Sequence, residues 1–87
     1  MREAIYIEDR LDGIKGIIST YYDTIDYSDY IHDLEEDLVK LNSLKEEFKD
    51  LKTQQYLADL ENRAKLYLPR MRAFQAHYVN QENCENS

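Results

Sequence analysis

Seven apolar or aromatic residues recur at alternating spacings of three and four: Ala4, Ile7, Leu11, Ile14, Ile18, Tyr21 and Ile25. That rhythm places all seven on one face of a helix. A second stripe runs through Tyr27, Ile31, Leu34, Leu38 and Leu41, then slips by one and continues as Leu44, Phe48 and Leu51. A third is regular again, through Leu57, Leu60, Ala64, Tyr67, Met71, Phe74 and Tyr78. Only 2 glycines and 1 proline interrupt the 87 residues, too few turn formers for a fold of many short strands. The expectation is an all-α domain over 1–79, a small antiparallel bundle of three main helices near 3–22, 28–52 and 54–79. Self-association would complete it, since three such stripes are much apolar face for a chain this short.

The breaks between stripes have local causes. Asp23-Thr-Ile-Asp-Tyr-Ser-Asp29 is rich in side chains that compete for backbone donors, which predicts a turn and an N-cap at Asp26 or Ser28. Ser43-Leu-Lys-Glu46 reads as a capping box, so the second helix is expected to bend or restart there. Lys52-Thr-Gln-Gln55 is the expected second turn, with one continuous rod as the alternative. Pro69 lies inside the third stripe without shifting its phase, which predicts a kink. Residues 80–87 read as a disordered polar tail.

One β reading competes over the first 22 residues. Ile5-Tyr-Ile7 and Ile17-Ile-Ser-Thr-Tyr-Tyr22 are β-prone, and Asp12-Gly13 is a hairpin signal. A hairpin would bury Asp9 on its inward face, whereas the helical reading buries no charge. Gly13 and Gly16 then fall inside a helix, where each costs about 1 kcal/mol relative to Ala, a cost expected where another helix approaches closely.

Charge separates the two halves of the chain. Residues 1–50 carry 14 acids and 6 bases, and residues 51–87 carry 4 acids and 5 bases, for a net charge of −7. The first half repels nucleic acid and anionic membrane and is drawn to basic surfaces. The first ten residues lack the apolar core of a signal peptide, and no apolar run approaches the ~20 residues of a membrane span. The 1 cysteine, Cys84, makes no internal disulfide and reads as a free thiol in a reducing, cytoplasmic setting.

Catalytic signatures are missing. No phosphate loop can be built on Gly13 and Gly16, and there is no Gly-x-Ser-x-Gly elbow. Asp29-x-x-His32 is half of a metal-binding pattern without its second half, because Ala73-Phe-Gln-Ala-His77 brings no acid. The chain is read as a non-enzyme with no cofactor and no metal.

Between Tyr21 and Asp37 lie Asp23, Asp26, Asp29, Asp33, Glu35, Glu36 and Asp37, with no Lys or Arg among them. Ile31, Leu34, Leu38 and Leu41 define one face of that helix, and Asp29, Asp33, Glu36 and Asp37 centre roughly 120° away, toward solvent. With Asp26 they form five carboxylates at about 4 Å of axis each, close to the roughly 3.4 Å per charge of a DNA strand. Tyr21 and Tyr27 fall on apolar stripes and are expected in the core; Tyr22 and Tyr30 are left as contact residues. The candidate partner-binding set is Tyr22, Asp23, Asp26, Asp29, Tyr30, Asp33, Glu36 and Asp37. Arg63, Lys65, Arg70 and Arg72 form a basic counterpart, expected to pair with acidic helices within the chain or across a dimer. Arg63 and Arg70 flank the third stripe, while Lys65 and Arg72 point away.

These features predict a small acidic inhibitor that presents carboxylates and tyrosines to a basic surface of a nucleic-acid-handling protein, without touching nucleic acid or membrane itself. In size and charge the chain is similar to phage-encoded anti-restriction and anti-CRISPR proteins and to nuclease-immunity proteins, a likeness of composition. The alternatives are a structural or regulatory coiled-coil module acting by self- or hetero-association, expected as a homo-oligomer, and a small-ligand binder with Tyr-lined pockets between subunits.

Overall fold

A computed structural model describes residues 2–86, with side chains through residue 80. It contains three helices, α1 (Arg2–Tyr21), α2 (Ser28–Glu47) and α3 (Leu51–Asn86), packed against one another as a small all-α bundle. The residues of the β-hairpin alternative, 5–22, belong to α1 and its connection to α2. Contacts fix the directions. Glu8 meets Tyr56, Asp12 meets Arg63 and Tyr22 meets Phe74, so α1 and α3 run parallel. Glu35 meets Arg72 and Lys45 meets Glu61, so α2 runs against α3.

The first stripe is the core face of α1: Ala4, Ile7, Leu11, Ile14 and Ile18 are all buried. They meet Tyr27, Leu34, Leu41 and Leu44 from the α2 side and Leu57, Leu60, Ala64, Tyr67, Leu68 and Met71 from α3. Within one chain the three stripes therefore cover most of one another. Leu68 lies off the third stripe and is buried because α3 packs against two helices at once, which widens its apolar arc beyond one seam.

Two stripe members leave the core. Tyr21 is 48% exposed because α1 ends there and the chain turns away. Leu51 is 72% exposed because α2 has already stopped at Glu47, so the stripe assigned to one helix spans two.

The α2–α3 break lies at Phe48–Asp50, upstream of the expected turn at Lys52–Gln55. Asp50 terminates it: its Oδ2 accepts the Thr53 backbone N–H at 3.0 Å and the Thr53 hydroxyl at 2.7 Å, an N-cap for α3. α2 passes unbroken through Ser43–Glu46, so the capping-box pattern starts no helix there. At its other end α2 begins at Ser28, and Asp26 Oδ1 accepts the Ser28 backbone N–H at 2.9 Å in an Asx turn.

α3 supplies an amide to each end of α2. Gln54 Nε2 donates to the carbonyls of Lys45 and Phe48, which the last turn of α2 leaves without helical partners. Gln75 Oε1 accepts the backbone N–H of Tyr27 at 2.5 Å, and Gln75 Nε2 donates to Ser28 Oγ at 3.2 Å. Tyr27 and Phe48 are as far apart along the chain as Gln54 and Gln75, so the two antiparallel helices stay in register from end to end.

α3 continues through Pro69 without a break and on to Asn86, past the boundary expected at Val79. Its 36 residues span about 54 Å at 1.5 Å each, against a longest molecular dimension of 55 Å, which leaves room for little bend at Pro69. Pro69 and Lys65 are both exposed, and the proline lacks the N–H that would reach the Lys65 carbonyl. Cys84, expected as a free thiol, lies outside the described side chains.

Two expectations fail on packing. A Cβ added at Gly13 or Gly16 would meet nothing within 4 Å, so neither glycine marks a close helix approach within the chain. Asp37, expected on the solvent face of α2, is 2% exposed, while α1 itself buries no charge, as its helical reading required.

Candidate functional site

The acidic residues of α2 are sorted by the helix they face. Asp37 turns inward, where Arg10 of α1 donates from one guanidinium nitrogen to both carboxylate oxygens at 2.8 Å. Its place on the solvent face is corrected, because that flank of α2 is where α1 packs. Burial pushes its pKa up, and the Arg10 charge and hydrogen bonds pull it partly back. Glu35 turns toward α3 and pairs with Arg72 at 3.2 Å, so Arg72 does not point away as the stripe geometry suggested.

Asp29, Asp33 and Glu36 remain along one flank of α2. Asp29 and Glu36 are exposed and Asp33 is half-buried. Glu36 also meets His32 at 3.1 Å, one turn away on the same helix. Asp26 is exposed just ahead of the helix, and hydrogen bonds from the Ser28 hydroxyl and backbone N–H hold its carboxyl below the ordinary range. Asp23 is half-buried in the α1–α2 connection.

Tyr22 follows the last residue of α1, in the connection that leads into α2. It is 59% exposed and takes φ 49°, the left-handed region that non-glycine residues rarely enter. Three contacts hold it there. Its N–H donates to Ile18 O at 3.3 Å, its carbonyl accepts the Tyr27 hydroxyl, and its ring meets Phe74 edge-on at 6.3 Å. Tyr21 stands exposed beside it, a contact candidate that the stripe pattern hid. Tyr30 is half-buried against the core, its ring 6.3 Å from Tyr27, so it offers less surface than expected. Tyr27 is fully buried, as its stripe position required, and burial near Asp23 raises its pKa.

Of the four bases expected to pair, Arg63, Lys65 and Arg72 do so within the chain, Lys65 with its own helix, while Arg70 is exposed and meets no carboxylate among the described residues. Arg63 reaches Asp12 of α1 at 2.6 Å, which raises its pKa, and lies 5.9 Å from the centre of the Tyr67 ring. Lys65 and Lys45 both approach Glu61, at 3.1 and 3.4 Å, and hold its carboxyl below the ordinary range. Arg10 was invisible as a site partner in the sequence: 27 residues separate it from Asp37, and no local pattern links them.

The arrangement can therefore offer acceptors and aromatic surface. Among the described residues no three His, Cys, Asp or Glu side chains gather as a metal site. Among them, too, no helix is long and apolar enough to cross a membrane. The chain matches no protein-family model, no curated protein and no solved structure.

Proposed function

We propose that the protein is a small acidic inhibitor that binds another protein. Its docking face is the corner where α1 turns into α2: Tyr21 and Tyr22, then Asp26, Asp29, Asp33 and Glu36. The partner is a basic surface on a nucleic-acid-handling protein, as for inhibitors of the anti-restriction, anti-CRISPR or nuclease-immunity kind.

Tyr22 carries this reading. A large aromatic side chain is held largely exposed, in a backbone conformation costing of order 1 kcal/mol, by hydrogen bonds and a ring contact. A rigid, exposed tyrosine adds contact area with little entropy to lose. The carboxylates of the connection and of α2 supply attraction and steering toward a basic partner. Asp29, Asp33 and Glu36 are spaced at about 5 Å of helix axis per charge, coarser than the roughly 3.4 Å of a DNA strand. Tyrosine anchoring with general charge attraction supports the proposal better than phosphate-for-phosphate mimicry does.

The test is affinity capture from lysate at low and high salt. The native protein is compared with a variant carrying Asp26→Asn, Asp29→Asn, Asp33→Asn and Glu36→Gln. Asp37 is left alone because its amide would disturb the Arg10 pair rather than the surface. The expected result is a nucleic-acid enzyme that the native protein retains at low salt and inhibits, and that the variant does neither to. Equal inhibition by both forms would overturn the reading.

A further inference from the structure

We propose that the cleft between α1 and α3 binds a small organic ammonium ion. The cleft measures about 480 Å³ and is lined by Glu8, Tyr56, Asp59, Leu60, Asn62 and Arg63. It is open to solvent along one side, so a ligand would lie against its wall rather than be enclosed. It is separate from the α1–α2 corner and shares no residue with it.

The lining selects the ligand's charge. Arg63 is the cleft's only cation, and it is already committed to Asp12 at 2.6 Å and to the Tyr67 ring. Asp59 is exposed, and Glu8, which accepts the Tyr56 hydroxyl through one oxygen, keeps the other for a ligand. An anion would meet two carboxylates. A neutral molecule would leave their charge uncompensated. An ammonium group brings three N–H donors and no acceptor, which suits acceptor-only partners.

The lining also selects an organic body. Leu60, 2% exposed, forms an apolar floor. The Tyr56 ring forms a wall, fixed by its hydroxyl donating to Glu8. Burial and the Glu8 carboxylate push the Tyr56 pKa to about 12, so the phenol stays protonated and neutral beside a bound cation. A hydrocarbon segment can lie on Leu60 while the ammonium head meets the Tyr56 ring and the carboxylates. The net charge of −7 concentrates cations around the molecule.

The experiment is an NMR titration of the full chain with n-butylammonium at fixed ionic strength. Matched sodium chloride and n-butanol serve as controls. The expected result is saturable shifts confined to Tyr56, Leu60 and Asn62. Neither control reproduces them, and Glu8→Gln weakens them about tenfold, as loss of one charge-assisted hydrogen bond requires. Glu8→Gln keeps an oxygen for the Tyr56 hydroxyl. Should it unfold, Asp59→Asn at an exposed position is read instead, with the same weakening expected. Shifts that do not saturate, that follow sodium chloride or n-butanol, or that survive the carboxylate substitution would each overturn the proposal.

Discussion

Arg10 and Asp37 join α1 to α2 through one guanidinium nitrogen that donates to both oxygens of a carboxylate, at 2.8 Å each. The pair is lopsided: side-chain exposure is 39% for the arginine and 3% for the aspartate. Removing either partner should therefore have unequal effects. Arg10→Ala strands a buried carboxylate and should cost about 3 kcal/mol in urea unfolding, the low end for a broken buried pair. Asp37→Ala leaves an arginine that can turn to water and should cost less. A double change to Arg10→Met and Asp37→Leu should recover most of the loss. Equal costs for the two single variants would show that the carboxylate is not the strained member.

Acid should act on the fold in opposing directions. Asp26, Asp50 and Glu61 have lowered pKa values, from hydrogen bonds by Ser28, by Thr53 and by Lys65 with Lys45 respectively. Their stabilisation is complete above the ordinary carboxylate range and is lost as pH falls through the lowered values. Asp37 is raised by burial, so its destabilisation at neutral pH is relieved as pH falls below its raised value. Three groups against one predicts a Tm that falls between about pH 5 and 3. Asp50→Asn keeps the cap and loses the charge. Its Tm deficit at pH 7 should shrink toward pH 3, and a constant deficit would exclude ionisation of Asp50 as the cause.

Gly13→Ala and Gly16→Ala should each stabilise the bundle by about 1 kcal/mol, because both lie inside α1 with open space where a Cβ would go. Thermal unfolding of the two variants checks this. Destabilisation at either site would reveal a neighbour that packs on that face of α1 in solution.

Tyr22→Gly separates strain from contact. The backbone gains by adopting φ 49° without a side chain, and the edge-on contact with Phe74 is lost. The two terms are each of order 1 kcal/mol, so unfolding free energy should change by less than about 1 kcal/mol. Partner capture should fall by tenfold or more, since exposed aromatic anchors carry a large share of interface energy. Undiminished capture by a folded Tyr22→Gly protein would remove Tyr22 from the docking face.

The stripes made the helices legible because burial repeats with the helical period, as Ala4 through Ile18 show. Chain ends and breaks were harder. The α2–α3 break depends on Asp50 and Thr53, a cap that carries no apolar signal, and Phe48 and Leu51 kept the stripe's rhythm across it. Which tyrosine is core and which is surface also escaped local reading. Tyr21 holds a stripe position but falls where α1 runs out of cover, and that is decided by the turn at Tyr22. Asp37 illustrates the same limit on α2. Its angle on the helix wheel lies between the apolar and acidic faces, and only the placement of Arg10 on another helix decides that it turns inward.

The glutamines at the two ends of α2 make α3 a gauge for α2. One residue inserted within α2 would rotate everything beyond it by about 100° and lengthen the helix by about 1.5 Å. Either Gln54 or Gln75 would then lose its seat, and Asp37 or its neighbours would swing away from Arg10. The α1–α2 connection is measured more locally, by the bond from the Tyr27 hydroxyl to the Tyr22 carbonyl and by Thr24 on the Tyr21 carbonyl. An extra residue beside Thr24 should therefore disturb the seat of Tyr22 alone, whereas a single extra residue between Ser28 and Glu47 should undo the pairing of two whole helices.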